Sequence, residues 1–162
     1  MTANRWAALI ADLELELTAI SRLASESERI LRRAPEESDE VYVRAAASLL
    51  QDFYSGTEKL MQRIAEEIDG ALPAGPRWHA QLLARMTASI EGVRPAVFSA
   101  GLAESLHEYL RFRHLARAIY GYSLKWESCR KLLQQMPHLV ETLSCETRAF
   151  EDALRSFPSQ AL

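Results

Sequence analysis

The sequence predicts an all-α protein built as an up-and-down bundle of about five helices. Apolar residues recur at three- and four-residue steps along most of the chain, and no segment sustains the alternating pattern of a β-strand. Glycine and proline residues divide the chain into five such segments with short connections. Because 162 residues can bury a core without metals or disulfides, we expect residues 1–162 to form a single domain.

The first two predicted helices are long and amphipathic. The first spans residues 3 to about 32, and its apolar stripe repeats at helical spacing. We expect Ser38 to cap the second helix, with Asp39 and Glu40 in its first turn, where acids suit the helix dipole. Gly70 then ends this helix. The two stripes contain Trp6, Ile10, Leu13, Leu17 and Ile20, and Leu49, Phe53, Leu60, Ile64 and Ile68.

Three further helices are predicted in the second half of the chain. The third runs from Arg77 to Ile90 and is followed by an irregular connection. Ser99 is suited to cap the fourth helix, and we expect Gly121 to end it in a left-handed conformation. The fifth helix covers about residues 124–156, and Pro137 should kink or split it.

Composition excludes several classes of protein. No stretch approaches the roughly 18 apolar residues of a membrane span, and no signal-peptide pattern opens the sequence, so we expect a cytoplasmic protein with no membrane partner. Cys129 and Cys145 would lie about 24 Å apart on one straight helix, too far for a disulfide. Neither cysteine has the spacing of a zinc site, and we expect no cofactor.

Charge is distributed unevenly along an acidic chain. The net charge of −3 argues against nonspecific coating of nucleic acid, which depends on many cations. Between Tyr109 and Lys131, however, six cations accompany a single acid, Glu127, which predicts a local basic face. The six cations are Arg111, Arg113, Arg117, Lys125, Arg130 and Lys131.

The segment from Arg113 to Tyr120 resembles the R-x4-H-x-Y motif of HEPN domains, and specifically of HepT-like toxins. Arg113 falls on the motif arginine and Tyr120 on its tyrosine, whereas Ala118 occupies the histidine position. The similarity extends over the second half of the chain. It includes Trp78-His79, the connection from Ile90 to Ser99, and the segment from Tyr109 to Glu127.

This resemblance implies a HEPN-type bundle and a specific activity. HepT-like toxins are homodimers that bring two motifs together and cleave RNA without a metal ion. They are paired with a minimal nucleotidyltransferase antitoxin, which adenylylates the motif tyrosine, here Tyr120. The resemblance therefore implies an RNA substrate, a second copy of the chain and a cognate antitoxin.

The motif predicts a phosphate site with one missing group. Arg113, Arg117 and Tyr120 are spaced to share one helix face, and guanidinium groups pair bidentately with phosphate. We predict Arg113 as the catalytic arginine, with Arg117, His114 and Arg111 as RNA contacts.

Ala118 cannot transfer a proton, and its loss of acid–base catalysis should raise the barrier by about 3 to 5 kcal/mol. The neighbouring histidine, His114, is rotated about 100° around the helix from Arg113 and should not take over the role of the missing histidine. Ala118 is either an engineered replacement in a toxic protein or a natural loss in a degenerate paralogue.

Noncatalytic interpretations remain open from the residues alone. The arginines could be solvated or ion-paired helix residues, and the chain could be a helical module that docks a nucleotidyltransferase or only forms dimers. The enzyme hypothesis requires accessible Arg113 side chains that converge across a two-fold axis, whereas the alternatives tolerate an Arg113 that is tied to an acid. His79, His107 and His138 show no ligand spacing.

Overall fold

The computed structural model describes residues 5–34 and 39–157, and it confirms the all-α helical bundle. Within these ranges no strand forms. One hydrophobic cluster contains buried residues from all the long helices. The helices are α1 (Ala7–Arg33), α2 (Glu40–Ile64), α3 (Trp78–Met86), α4 (Ala100–Ala118) and α5 (Trp126–Ser156).

The helix α2 is the centre of the bundle. It packs against α1, α3, α4 and α5, and α1 also packs along α5. The Tyr109 hydroxyl on α4 donates to the Leu132 carbonyl on α5 at 2.7 Å, and the Tyr109 ring meets Phe53 of α2 edge to face at 4.9 Å. Side chains on α2 therefore face partners on every other helix.

The N-terminus of α2 corrects one predicted cap. Asp39 is the capping residue, because its carboxylate accepts from the backbone N–H groups of Val41 at 3.0 Å and Tyr42 at 3.3 Å. Ser38, which we expected in this role, lies outside the described residues. Asp39 is thus the cap itself rather than a first-turn acid.

The two ends of α4 differ in how well the sequence predicted them. Ser99 caps the helix as expected and accepts from the Leu102 N–H at 3.2 Å. The prediction that α4 ends at Gly121 in a left-handed conformation is wrong. The helix ends at Ala118, and Ile119 is extended, with φ −125° and ψ 161°. Gly121 has no positive φ and lies in a short 3-10 turn, Gly121–Ser123.

The connection between α3 and α4 is organised by a buried arginine. The helix α3 ends at Met86, four residues before the predicted end, and the chain then folds over Arg94. Arg94 donates to both carboxylate oxygens of Asp69, at 2.6 and 2.9 Å, in the π-helical turn Ala65–Asp69 that extends α2. It also donates to the carbonyls of Arg85, Ala88 and Pro95.

The last helix is continuous. Pro137 lies inside α5 without splitting it, which leaves the predicted kink as the remaining alternative. Cys129 and Cys145 both lie on α5 and are free, as expected. Burial raises the pKa of the Cys129 thiol to about 11, which keeps it protonated near neutral pH.

Candidate functional site

The motif arginine lies in a buried cluster formed by three helices. Arg113 of α4 donates from Nη1 to Oε1 of Glu58 on α2 at 3.0 Å. The other carboxylate oxygen of Glu58 is 2.5 Å from Nδ1 of His79 on α3. The side chains of Arg113 and Glu58 are only 8% and 7% exposed, so the ion pair is shielded from water. The single chain therefore does not present the accessible Arg113 that the enzyme hypothesis requires. We call Glu58, His79 and Arg113 the buried cluster.

His79 connects the buried cluster to two aromatic rings nearer the surface. The ring centroid of Trp78 is 3.7 Å from that of His79, and the His114 ring meets His79 edge to face at 5.6 Å. His114 is exposed on α4. Partial desolvation, together with the charges of His79 and Arg113, lowers the pKa of His114, which therefore favours its neutral form.

A buried tyrosine completes the surroundings of Arg113. The Arg113 guanidinium carbon is 5.8 Å from the centroid of the Tyr54 ring. The Tyr54 hydroxyl is buried and has no hydrogen-bond partner among the described residues, and burial raises its pKa. The phenol therefore remains un-ionised, and its ring covers one side of the guanidinium.

The remaining predicted site residues of α4 face solvent. Arg111, His114, Arg117 and Ala118 are all exposed, in contrast to Arg113. No ion pair in residues 5–34 or 39–157 involves Arg111 or Arg117, so both guanidinium groups are available to an anion. Ala118 presents only a methyl group at the motif histidine position.

The motif tyrosine does not share the helix face of the arginines. Because α4 ends at Ala118, Tyr120 lies beyond the helix, and the predicted one-face arrangement of Arg113, Arg117 and Tyr120 is wrong. Tyr120 is 74% exposed, and its ring stacks on Tyr122, with the two planes 8° apart. The hydroxyl of Tyr120 is thus presented to solvent.

The described residues offer neither a membrane-spanning helix nor a cluster of metal ligands. No helix there has the length and apolar character that a membrane span needs. No three His, Cys, Asp or Glu side chains of the described chain converge as metal ligands would.

Glu58, the acid that pairs with Arg113, was not among the site residues predicted from the sequence. The sequence does indicate that Glu58 is buried, because it lies four residues after Tyr54 and three before Met61, both of which are buried on α2. A charged residue on a buried stripe requires a partner. The identity of that partner depended on how α2, α3 and α4 pack, which the pattern of a single helix does not contain.

These features define a class of helical protein in which a buried arginine–carboxylate–histidine cluster underlies an exposed basic helix end. The family model of HepT-like proteins matches residues 45–154, which is more than half of the chain and includes the buried cluster and the whole motif segment. The chain belongs to the HepT-like family. Comparison with curated proteins and with solved structures gave no match.

Proposed function

We propose that this protein is the toxin-type member of a toxin–antitoxin pair, a homodimeric HEPN ribonuclease that needs no metal and is catalytically disabled by Ala118. The observation that carries the proposal is the exposed end of α4, where Arg117 and Ala118 precede the exposed Tyr120 in a HepT-like chain. Exposed guanidinium groups suit an RNA phosphodiester. The missing element is a group that transfers protons.

The geometry suggests a division of roles within the RNA site. Arg117, His114 and Arg111 are exposed and would contact phosphates, whereas Arg113 is held by Glu58 and would orient the end of α4 from below. A second protomer would supply another set of the same side chains. RNA would then bind a basic surface shared by two chains.

Ala118 removes the acid–base step from this site. Transfer of the ribose 2′-OH proton and protonation of the leaving oxygen require a group that titrates near neutrality. His114 is the nearest imidazole along α4, but it is exposed and lies one residue from Arg113, which is about 100° around the helix and buried against Glu58. The proposal therefore predicts RNA binding with little cleavage.

Tyr120 supports the pairing with an antitoxin. Its high exposure leaves the hydroxyl accessible to a nucleotidyltransferase, and attachment of AMP would add a negative phosphodiester close in sequence to Arg117. That charge would compete with RNA for the guanidinium group. Adenylylation would then silence the site without unfolding the helix.

The buried ion pair favours a second candidate function. Arg113 is neutralised by Glu58 and shielded from solvent, which is the arrangement that a noncatalytic helical docking module tolerates. In this alternative the chain binds a nucleotidyltransferase or another partner and has never cleaved RNA. The two candidates differ in what restoring the motif histidine would do.

The deciding experiment compares cells that express this chain with cells that express the Ala118→His variant. We expect growth arrest and fragmented RNA only with the histidine variant, because it regains acid–base catalysis worth about 10²- to 10⁴-fold in rate. Arg117→Ala in the Ala118→His background is the exposed control and should reduce the effect. Arg113→Ala is the second control, accompanied by a check that the variant is folded.

Two results would count against the enzyme. If the Ala118→His protein accumulates in folded form and leaves growth and RNA unchanged, the docking module becomes the better explanation. If cleavage appears but does not depend on either arginine, another surface of the protein carries it. Co-expression with a cognate antitoxin and mass measurement of the Tyr120 peptide tests the adenylylation separately.

A further inference from the structure

Two tyrosines form an exposed aromatic surface just after α4. The rings of Tyr120 and Tyr122 are parallel to within 8°, with centroids 5.4 Å apart, and they are 74% and 65% exposed. The intervening 3-10 turn holds them on the same side, and the Ser123 N–H closes it on the Tyr120 carbonyl at 2.9 Å. A stacked pair in water still offers outer ring faces to a planar ligand.

A guanidinium group lies against the backbone between the two tyrosines. Glu40 accepts from Nε and Nη2 of Arg44, at 3.2 and 2.7 Å, and neither contact uses Nη1. Nη1 instead lies against Gly121, where an added Cβ would be only 2.8 Å from it. The aromatic surface therefore has a cation beside it with an N–H group that Glu40 does not occupy.

Tyr122 also lines a cleft of about 200 Å³. Its lining residues include Trp126, Val43, Leu124 and Glu40, and Glu40 accepts from Arg44 through Oε1 alone. Aromatic and apolar walls suit the faces of a heterocycle, and a carboxylate suits its amino groups. The cleft thus combines a stacking surface, a hydrogen-bond acceptor and a nearby cation.

We propose that this surface binds a nucleobase, which stacks on Tyr122 while its phosphate lies near Nη1 of Arg44. The inference rests on the proposed function for its main source, a single strand of RNA, and a free nucleotide offers the same chemistry. Base–aromatic stacking tolerates any sequence because every base has a π face. Tyr122 and Arg44 would extend the RNA site beyond the motif.

The first test measures binding of a short fluorescein-labelled oligoadenylate by anisotropy. We expect Tyr122→Ala to weaken binding roughly fivefold to a hundredfold, the range found for loss of one stacking contact. Tyr122→Phe keeps the ring and should bind like the parent chain. Phe157→Ala, at another exposed aromatic residue, is the matched control and should have no effect.

The second test separates the cation from the ring by salt dependence. Arg44→Gln should weaken binding and make the plot of log affinity against log salt shallower by about 0.7, the value for one phosphate contact on a single strand. Tyr122→Ala should leave that slope unchanged. Arg32→Gln is the control, because Arg32 forms a similar exposed pair with Glu28 on α1.

Unlabelled ATP distinguishes the two sources of the base. Displacement of the oligonucleotide by ATP in a Tyr122-dependent way assigns the surface to single nucleotides, whereas failure to displace it assigns the surface to a strand. The proposal is overturned if the probe does not bind, if Tyr122→Ala binds like the parent, or if Tyr122→Phe loses as much affinity. A Tyr122→Ala variant that changes only the oligomeric state overturns it in favour of a dimer contact.

Failure of the nucleobase site can be distinguished from failure of the proposed function. Binding is measured on the parent chain, whereas the proposed function is tested by toxicity and cleavage in the Ala118→His variant. A toxic histidine variant combined with Tyr122-independent binding would sink only the nucleobase site.

Discussion

The motif segment divides into two regions that obey different physical rules. Arg113 is buried against Glu58, which His79 also contacts, so its charge is compensated inside the protein. A few residues later, Arg117 and Tyr120 are exposed. One short motif thus contains both a buried residue that the fold needs and exposed residues that a ligand can reach, so substitutions in it should affect stability and binding separately.

The largest expected effect comes from breaking the buried pair. Glu58→Gln should lower the free energy of unfolding by about 3 to 5 kcal/mol, because it leaves the Arg113 guanidinium buried without an anion. Arg113→Met should cost less, since His79 still contacts the Glu58 carboxylate. Urea unfolding followed by circular dichroism measures both.

The double variant Glu58→Gln/Arg113→Met provides the control for that experiment. Removing both charges should recover most of the loss, because a neutral pair has no uncompensated charge to bury. If the free energies of unfolding of the single variants lie within about 1 kcal/mol of the parent's, Arg113 reaches solvent and would be available to RNA.

A second buried glutamate, Glu151, lacks the close partners that Glu58 has. Oε1 of Glu151 on α5 has no hydrogen-bond partner in the described chain, and Arg155 approaches Oε2 only to 3.9 Å. Burial and, after it, the neighbouring Glu14 carboxylate raise the pKa of Glu151 to about 7. The folded state therefore favours the protonated carboxyl.

The sign of the pH effect follows from this raised pKa. The contribution of Glu151 to stability is fully present below about pH 4.5 and is lost as pH rises through about 7. Glu151→Gln should remove this loss and stabilise the protein at pH 8 by up to about 3 kcal/mol relative to the parent. Unfolding curves at several pH values test it, and a parallel pH dependence in the two proteins would contradict it.

A smaller effect on stability is expected at the exposed end of the motif. Arg117→Ala should change the free energy of unfolding by less than about 0.5 kcal/mol, since no described ion pair holds this side chain. It should nevertheless weaken oligonucleotide binding and reduce the salt dependence, as loss of one phosphate contact does. Arg29→Ala on α1 is the matched exposed control, and equal weakening by both variants would mean nonspecific attraction.

The smallest expected effect tests the corrected ending of α4. A left-handed glycine would resist replacement, but Gly121 has no positive φ, and the neighbouring atom is the end of the flexible Arg44 side chain. Gly121→Ala should therefore destabilise the protein by less than about 0.5 kcal/mol while displacing Arg44. A loss above about 1 kcal/mol in urea unfolding would indicate a backbone requirement at this position.

Local patterns in the sequence determined the helices and part of their boundaries. Spacing of apolar residues is a property of each helix alone, and a cap such as Ser99 acts within one turn, so both can be found without a structure. The motif positions of Arg113, Ala118 and Tyr120 were likewise visible in the chain. Family membership extended this information across residues 45–154.

Which motif residues are buried, and what they contact, depends on how the helices pack together. Glu58 and Arg113 are 55 residues apart in the chain, and His79 lies on a third helix. The placement of Arg44 against Gly121 likewise depends on how the turn after α4 packs on α2. Helical periodicity reports which face of a helix is buried, whereas the partner of a buried charge is chosen by the packing of helices that are distant in sequence.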